Sequence, residues 1–260
     1  MGDVVLSERA GKTLSITLNR PEVLNAIDVA LAEALAVAVE EAADDAVRCV
    51  VLRGAGRAFL AGGDITAFYK DLERAGGVAD AIITPFHRAI EGLRRLPKPV
   101  IAELHGAVAG AGLSLALAAD LALAAEDTTF TLAYSAIGAS PDGGSTYHLP
   151  RVLGLRRTFE VAALSDRFGA KQALEWGLIN RVVPAERLQA ETAALAERLS
   201  NGPTAAYGRL KALLAASIGD VLPDQLERER RAFVEGAAGE DFREGVSAFV
   251  EKRRPQFHGR

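Results

Sequence analysis

Residues 106–125, GAVAGAGLSLALAADLALAA, carry a single charge, Asp120. An apolar run of about 20 residues is long enough to span a bilayer. Yet Gly106, Gly110 and Gly112 crowd its start, Asp120 sits inside it, and its alanines and glycines are only weakly apolar. The run therefore reads as a buried helix followed by a buried strand. Whatever fold forms must cover both with protein. A chain of 260 residues, 49% of them hydrophobic and 25% charged, can build that core without covalent staples. The length fits one large domain, or a domain with an appendage.

Charge and cysteine usage exclude whole classes of function. Thirty Lys and Arg against 34 Asp and Glu leave a net charge of −4. That argues against a general binder of nucleic acid or of anionic membranes. The single cysteine, Cys49, excludes an intrachain disulfide framework and a cysteine-ligated zinc site. His87, His105, His148 and His258 are scattered, with no HExxH pair, so no metal site is expected. The opening MGDVVLSERAG has early acidic residues and no apolar h-region, unlike a secretory signal. Ser7 stands one place too late for a myristoylation motif. The expectation is a soluble, cytoplasmic protein with no membrane or nucleic-acid partner.

Local patterns give an α/β chain. Residues 3–8 and 13–18 are β-rich and joined by Arg9-Ala10-Gly11-Lys12, a hairpin. Residues 27–42 place apolar side chains at helical spacing. A short apolar run at 49–53 ends at Gly54-Ala55-Gly56, as a buried strand would. A helix over 82–96 stops before Pro97-Lys98-Pro99. A strand at 100–104, a turn, a helix over 110–119 and a strand at 121–124 follow. Helical segments at 162–164 and 170–175 and a strand at 178–183 complete this part. The unit strand–turn–helix–strand recurs at roughly fifty-residue spacing, without any residue-level repeat. Beyond residue 185 the pattern is helical throughout, at 185–199, 204–216, 223–236 and 241–252. The composition shift near 195–203 is the best boundary, dividing a core of residues 1–197 from a helical region of 198–260.

Two glycine-rich turns stand out: Arg57-Ala58-Phe59-Leu60-Ala61-Gly62-Gly63-Asp64-Ile65, and His105-Gly106-Ala107-Val108-Ala109-Gly110-Ala111-Gly112-Leu113. Glycines let backbone approach a ligand and leave N–H groups exposed. A helix N-terminus adds unpaired donors and partial positive charge. Two such donors can form an oxyanion hole; equally, the glycines can serve only tight turns and helix packing. Neither turn is a phosphate loop, since GxxxxGK[ST] and GxGxxG are both missing.

With these residues laid out, the chain resembles the crotonase superfamily, also called the enoyl-CoA hydratase/isomerase family, over nearly its whole length. The resemblance rests on Leu18-Asn19-Arg20-Pro21 with Leu24-Asn25-Ala26, Gly54-Ala55-Gly56 through Gly62-Gly63-Asp64, and Pro97-Lys98-Pro99-Val100. It continues through Gly106 to Leu113, Ala118-Ala119-Asp120, Gly143-Gly144, and Gly177-Leu178-Ile179-Asn180-Arg181-Val182-Val183. It implies a spiral of repeated ββα units with a C-terminal helical trimerisation region, assembled as a trimer or hexamer. It implies an acyl-CoA thioester substrate and no permanently bound cofactor. By motif position, the thioester oxygen would be held by the N–H groups of Gly63 and Ala111. Coenzyme A would pack near Val23, Leu24, Asn25 and Ala26 and near Ala61, Gly62, Asp64 and Ile65.

Within that family, hydratases use two glutamates to activate water and protonate carbon. The matching positions here hold Ser114 and Tyr134, so hydratase chemistry is not favoured. Asp142, in Pro141-Asp142-Gly143-Gly144, resembles the isomerase branch, which includes the ring-opening isomerase of phenylacetate degradation. The tail, Arg243-Glu244-Gly245 through Arg254-Pro255-Gln256-Phe257, resembles that branch too. Without the family, Asp142 reads as a turn residue capping the next segment.

His87 offers a competing match. A 4-chlorobenzoyl-CoA dehalogenase branch has a catalytic histidine at that place and a nucleophilic aspartate matching Asp142. Tyr134 and Gly63 depart from that branch, which has tryptophan and phenylalanine there. His87 reads equally as a helix histidine on a partly buried face. The leading expectation is a double-bond isomerase using Asp142 as acid and base. The alternatives are a hydratase, a dehalogenase-like hydrolase, and a non-catalytic acyl-CoA binder. A binder has no need of Asp142 or His87 in the pocket. Cys49 and Trp176 read as core, and Lys252-Arg253-Arg254 as a solvated tail or a contact to CoA phosphates across a subunit boundary.

Overall fold

The computed structural model describes residues 2–260, so the Met1 start of the N-terminal segment lies outside the described residues. Strands β1 (Val5–Ala10) and β2 (Thr13–Leu18) form the expected antiparallel hairpin. Helix α1 (Val29–Glu41) begins at Asp28, whose side chain accepts a hydrogen bond from Leu31 N at 2.8 Å and so fills one of the unpaired first-turn donors. Strand β3 (Cys49–Gly54), helix α2 (Ile65–Lys70) and helix α3 (Ala75–Arg95) follow.

The run at 106–125 divides into three pieces. After β4 (Val100–Leu104) come β5 (Ala107–Ala109), α4 (Ala111–Ala118) and β6 (Leu121–Ala125). Residues 111–116 and 122–125 are all buried, as the low polarity requires. Among the described residues, no helix is long and apolar enough to cross a membrane. The chain continues with β7 (Thr129–Thr131), α5 (Ser145–Leu164), β8 (Phe168–Gly169), α6 (Ala170–Glu175) and β9 (Arg181–Val183). The C-terminal part holds α7 (Leu188–Ser200), α8 (Thr204–Ala216), α9 (Leu222–Ala237) and α10 (Glu240–Glu251).

Two sheets organise these elements. The larger has strand order β1-β2-β3-β4-β6-β9 and is parallel apart from the first hairpin; the smaller is β5-β7-β8. Each turn of the spiral places a long strand in the large sheet, then an extended piece on the small-sheet side, then a helix. The extended pieces are stitched by parallel bridges, Ile27 with Gly63 and Leu60 with Val108.

Side chains alternate across a strand, and that alternation sorts the core. Ile16, Val50, Leu52, Val100 and Ala102 face the helices α1, α3 and α4. Cys49, Val51, Ile101, Leu123 and Ala125 face α7 through Leu188 and Ala196. Each Leu or Ile fully buried in this way contributes about 1.5–3 kcal/mol.

Several expectations need correcting. The spiral units are not spaced at roughly fifty residues, since their long strands begin at 13, 49, 100 and 121. The helix expected at 82–96 starts at Ala75 and passes through exposed Gly76 and Gly77, with Val78 of its first turn packed against the core. The strands β5, β7 and β8 are two or three residues long, too short for alternation to show. Residues 162–164 do belong to a helix, the last turn of α5, which begins earlier than the sequence shows, at Ser145, with Pro150 inside it and a kink at Gly154 (φ 73°). The expected boundary after residue 197 falls within α7, which runs to Ser200 and packs on the large sheet.

Asp120, the lone charge of the apolar run, joins the C-terminal helices to the core. Its Oδ2 accepts from Lys211 Nζ of α8 at 2.8 Å and from Val100 N at 2.9 Å, and Arg94 Nη1 lies 3.3 Å from Oδ1. Lys211 also donates to the Leu93 carbonyl at 2.7 Å. Burial holds its ammonium below the usual lysine range, and Asp120 opposes that shift. At the other end, buried Arg48 donates to Thr204 Oγ1 (2.9 Å), the Phe257 carbonyl (3.1 Å) and the Gly202 carbonyl, fastening the tail to the start of β3.

Candidate active site

The two glycine turns meet in space. Gly110 has φ +50° and ψ −118°, a backbone state closed to side chains with a Cβ. A Cβ there would sit 3.5 Å from Gly62 Cα. The turns are held in register by Leu60 N to the Ala107 carbonyl (3.2 Å), Ala109 N to the Leu60 carbonyl (2.9 Å) and Gly110 N to the Thr131 carbonyl (3.0 Å).

The backbone donors follow from this. In the bridge to Ile27, Gly62 O and Asp64 N take the Ile27 N–H and C=O, so Gly63 turns its own N–H to the opposite side. Ala111 is the first residue of α4, where N–H groups have no carbonyl one turn back. Neither N–H donates to a protein group among the described residues. Phe68 lies beside Gly63, its Cε2 3.7 Å from where a Cβ would be.

The two segments expected to pack coenzyme A lie side by side. Ala61 N donates to the Leu24 carbonyl (3.1 Å) and Ile27 N to the Gly62 carbonyl (2.8 Å). Buried Asn25 staples them, with its Nδ2 on the carbonyls of Ala55, Ala58 and Phe59 at 2.8–3.2 Å. Val23 and Ile65 are exposed, and Leu24, Ala26 and Ala61 are half-buried. The Asp64 carboxylate is already engaged. It caps α2 through Thr66 N (3.1 Å) and pairs with Arg20 at 3.3 Å. Arg253 of the basic tail is paired with Glu244 and Glu251.

Asp142 sits on the loop between β7 and α5. Its side chain does not cap α5; Oδ1 accepts from the Tyr134 hydroxyl at 2.5 Å. Its carbonyl accepts from Ser114 Oγ of α4 (2.9 Å) and from Ser145 Oγ (3.0 Å). Gly143 (φ +60°) must be glycine, since a Cβ would lie 2.7 Å from both Phe86 Cε1 and Ser114 Cβ. Tyr134 closes the ring of contacts, because its Cε2 lies 4.0 Å from a Cβ placed on Gly110. Burial first, and then the negative charge of Asp142, push the Tyr134 phenol well above its usual range, so it stays a neutral donor.

The two positions without carboxylates are thus both in contact with Asp142. The sequence shows Ser114 and Tyr134 only as missing glutamates; the contacts exist through space. His87 is exposed on α3, and its Nε2 accepts from Gly143 N at 3.1 Å, one residue from Asp142. That bond requires a lone pair on Nε2. His148, on α5, has its ring 3.5 Å from a Cβ placed on Gly144. Burial, then the charges of Arg94 and Arg151, lower its pKa to about 4.

The sequence profile of the enoyl-CoA hydratase/isomerase family matches residues 8–260. The chain belongs to that family. A 1,2-epoxyphenylacetyl-CoA isomerase of Escherichia coli is 38% identical over the full length of both chains. A probable enoyl-CoA hydratase of Rhodobacter capsulatus is 39% identical over 94% of each. Among solved structures, an enoyl-CoA hydratase from Polaromonas sp. JS666 superposes with a TM-score of 0.93 at 35% identity, covering 98% of this chain and 99% of the other. The crotonase fold follows, with its all-helical C-terminal part. As a member of the enoyl-CoA hydratase/isomerase family the chain is an acyl-CoA-processing enzyme, and its relatives carry both isomerase and hydratase names.

Proposed function

We propose that the chain is an enoyl-CoA isomerase in which Asp142 is the single acid and base and the N–H groups of Gly63 and Ala111 hold the thioester oxygen. The observation that carries this is the company Asp142 keeps. Of the two carboxylates at the glycine turns, Asp64 is paired with Arg20, whereas Asp142 faces a hydroxyl and forms no ion pair among the described residues. A hydratase needs a second carboxylate, and the two available positions hold Ser114 and Tyr134, both committed to Asp142. A dehalogenase-like route needs a histidine free to activate water, and His87 Nε2 is occupied by Gly143 N. The isomerase name of the Escherichia coli relative agrees with this reading.

The reaction is a 1,3-proton shift. Asp142 takes a proton from C2 of a 3-enoyl thioester, and the electron pair moves into a dienolate whose oxygen faces the two N–H donors. The same carboxyl returns the proton to C4, giving the 2-enoyl thioester. Each oxyanion donor is worth about 3 kcal/mol in the transition state. The test compares 3-enoyl, 2-enoyl and aryl CoA thioesters on one preparation. Asp142→Asn should lose at least ~100-fold in isomerisation, while substrate still binds and His87→Gln has much less effect. Full activity in Asp142→Asn, or a covalent adduct at Asp142 after mixing with 4-halobenzoyl-CoA, would overturn the reading.

The reading extends to assembly as a trimer or a dimer of trimers. A groove of about 710 Å³ between α8, α9 and α10 is lined by Leu210, Leu213, Phe233, Phe242, Val246 and Phe249. Phe233 is 67% and Phe249 86% exposed. Apolar patches of this kind mark contact surfaces. Sedimentation should give a trimer or hexamer, and a stable monomer at micromolar concentration would contradict it.

A further inference from the structure

The loop that carries Asp142 is fixed at its backbone, whereas its carboxylate has one protein partner among the described residues. The Asp142 carbonyl is held by Ser114 and Ser145, and the next N–H by His87. The carboxylate meets only the Tyr134 hydroxyl. Tyr134 is itself pinned. Its N–H donates to the Leu132 carbonyl (2.8 Å), and its carbonyl accepts from Ile137 N (3.1 Å) and Ala139 N (3.0 Å). Its Cε2 lies 4.0 Å from where a Cβ on Gly110 would sit, one residue from the Ala111 N–H.

We propose that Tyr134 is the positioning residue of this site: its hydroxyl holds Oδ1 of Asp142, so that Oδ2 alone carries the proton between the two carbons of the acyl chain. This rests on the isomerase reading of Asp142. A carboxylate free to rotate offers either oxygen and loses alignment with C2 and C4. One oxygen tied to a fixed phenol leaves the other as the only available base. No atom is gained or lost at Tyr134 during turnover. The phenol keeps its proton, and that proton stays hydrogen-bonded to Oδ1 while Oδ2 is protonated by C2–H and deprotonated to C4. Tyr134 also lies beside Gly110, so the base is held close to the turn that carries the Ala111 N–H.

A hydrogen bond to a carboxylate favours its charged form. Deleting the donor leaves the base more readily protonated, and that signature separates positioning from packing. In the full chain, Tyr134→Phe keeps the ring and removes the hydroxyl. With a 3-enoyl-CoA substrate, kcat should fall about 10–100-fold, the kinetic equivalent of one hydrogen bond to a charged group. KM should change little, and the acid limb of the kcat/KM profile should move to higher pH. Incorporation of 3-fluorotyrosine at position 134, a stronger donor, should move that limb to lower pH. An unchanged kcat in Tyr134→Phe, or a lower kcat with an unmoved pH profile, overturns the proposal. Asp142→Asn run alongside separates the failures. An active Asp142→Asn overturns the isomerase reading and this role with it, whereas an inactive Asp142→Asn beside an unaltered Tyr134→Phe overturns the role of Tyr134 alone.

Discussion

The two halves of the site are built from different material. The half at α4 and the first glycine turn offers backbone. The donors proposed there are the N–H groups of Gly63 and Ala111; residues 111–116 are all buried, and the turns are held by main-chain hydrogen bonds. The half around Asp142 offers a side chain on a loop. Residues 135–140 are exposed; Ser114, Ser145 and His87 hold the backbone of the loop, and Tyr134 holds the carboxylate. The first half inherits its geometry from the fold and is indifferent to most side chains. The second depends on a few residue identities. In the proposed reading, the backbone half would serve a hydratase and an isomerase alike. On that reading the choice of reaction falls to the other half; relatives of similar identity carry both names.

That contrast can be broken at either end. In the backbone half, Ala111→Pro removes one donor and should lower turnover by at least ~100-fold. Ala111→Ser keeps the N–H and should leave turnover near that of the parent chain. Because proline also perturbs the backbone, a folded Ala111→Pro enzyme with unchanged turnover is the outcome that sinks the assignment. The acid half should show a smaller effect, one of stability. His148 has a folded pKa of about 4, below the 6.5 of an unstrained histidine. Below pH 6.5 the unfolded chain binds a proton that the folded chain refuses, so stability is lost as pH falls from 6.5 towards 4. Discounted for the partly exposed ring, the loss amounts to about 1–2 kcal/mol. Thermal midpoints measured across that range should show a shallower fall for His148→Asn; parallel curves would remove His148 as the cause.

The sequence makes the backbone half legible and the acid half only in part. Buried strands that end at glycine turns are visible as short apolar runs, and the helical C-terminal part shows its period plainly. The strands β5, β7 and β8 escape because two or three residues carry no alternation. The first part of α5 escapes because Tyr147, His148, Pro150 and Gly154 are poor helix formers, and tertiary packing overrides their preferences. Asp142 is legible from its motif. Its bond to Tyr134 is not, since a one-turn 3₁₀ helix, Ser135–Ile137, and Gly138 (φ 72°) fold the chain back between them. Eight residues of sequence spacing carry no sign of that reversal. Likewise, Ser114 reads as a lost carboxylate until the loop it clamps is seen.

Arg48 ties the start of β3 to segments far along the chain. It is 6% exposed, burial holds its guanidinium below the usual range, and its acceptors lie 154, 156 and 209 residues further along the chain. The strand that follows Arg48 can pair with its neighbours on its own, yet the cation gains its full set of acceptors only when the segments around Gly202, Thr204 and Phe257 are all in place. A buried cation left short of acceptors is costly. Removing the segment around Phe257 would therefore place a defect beside a central strand of the sheet, far in sequence from the residues removed.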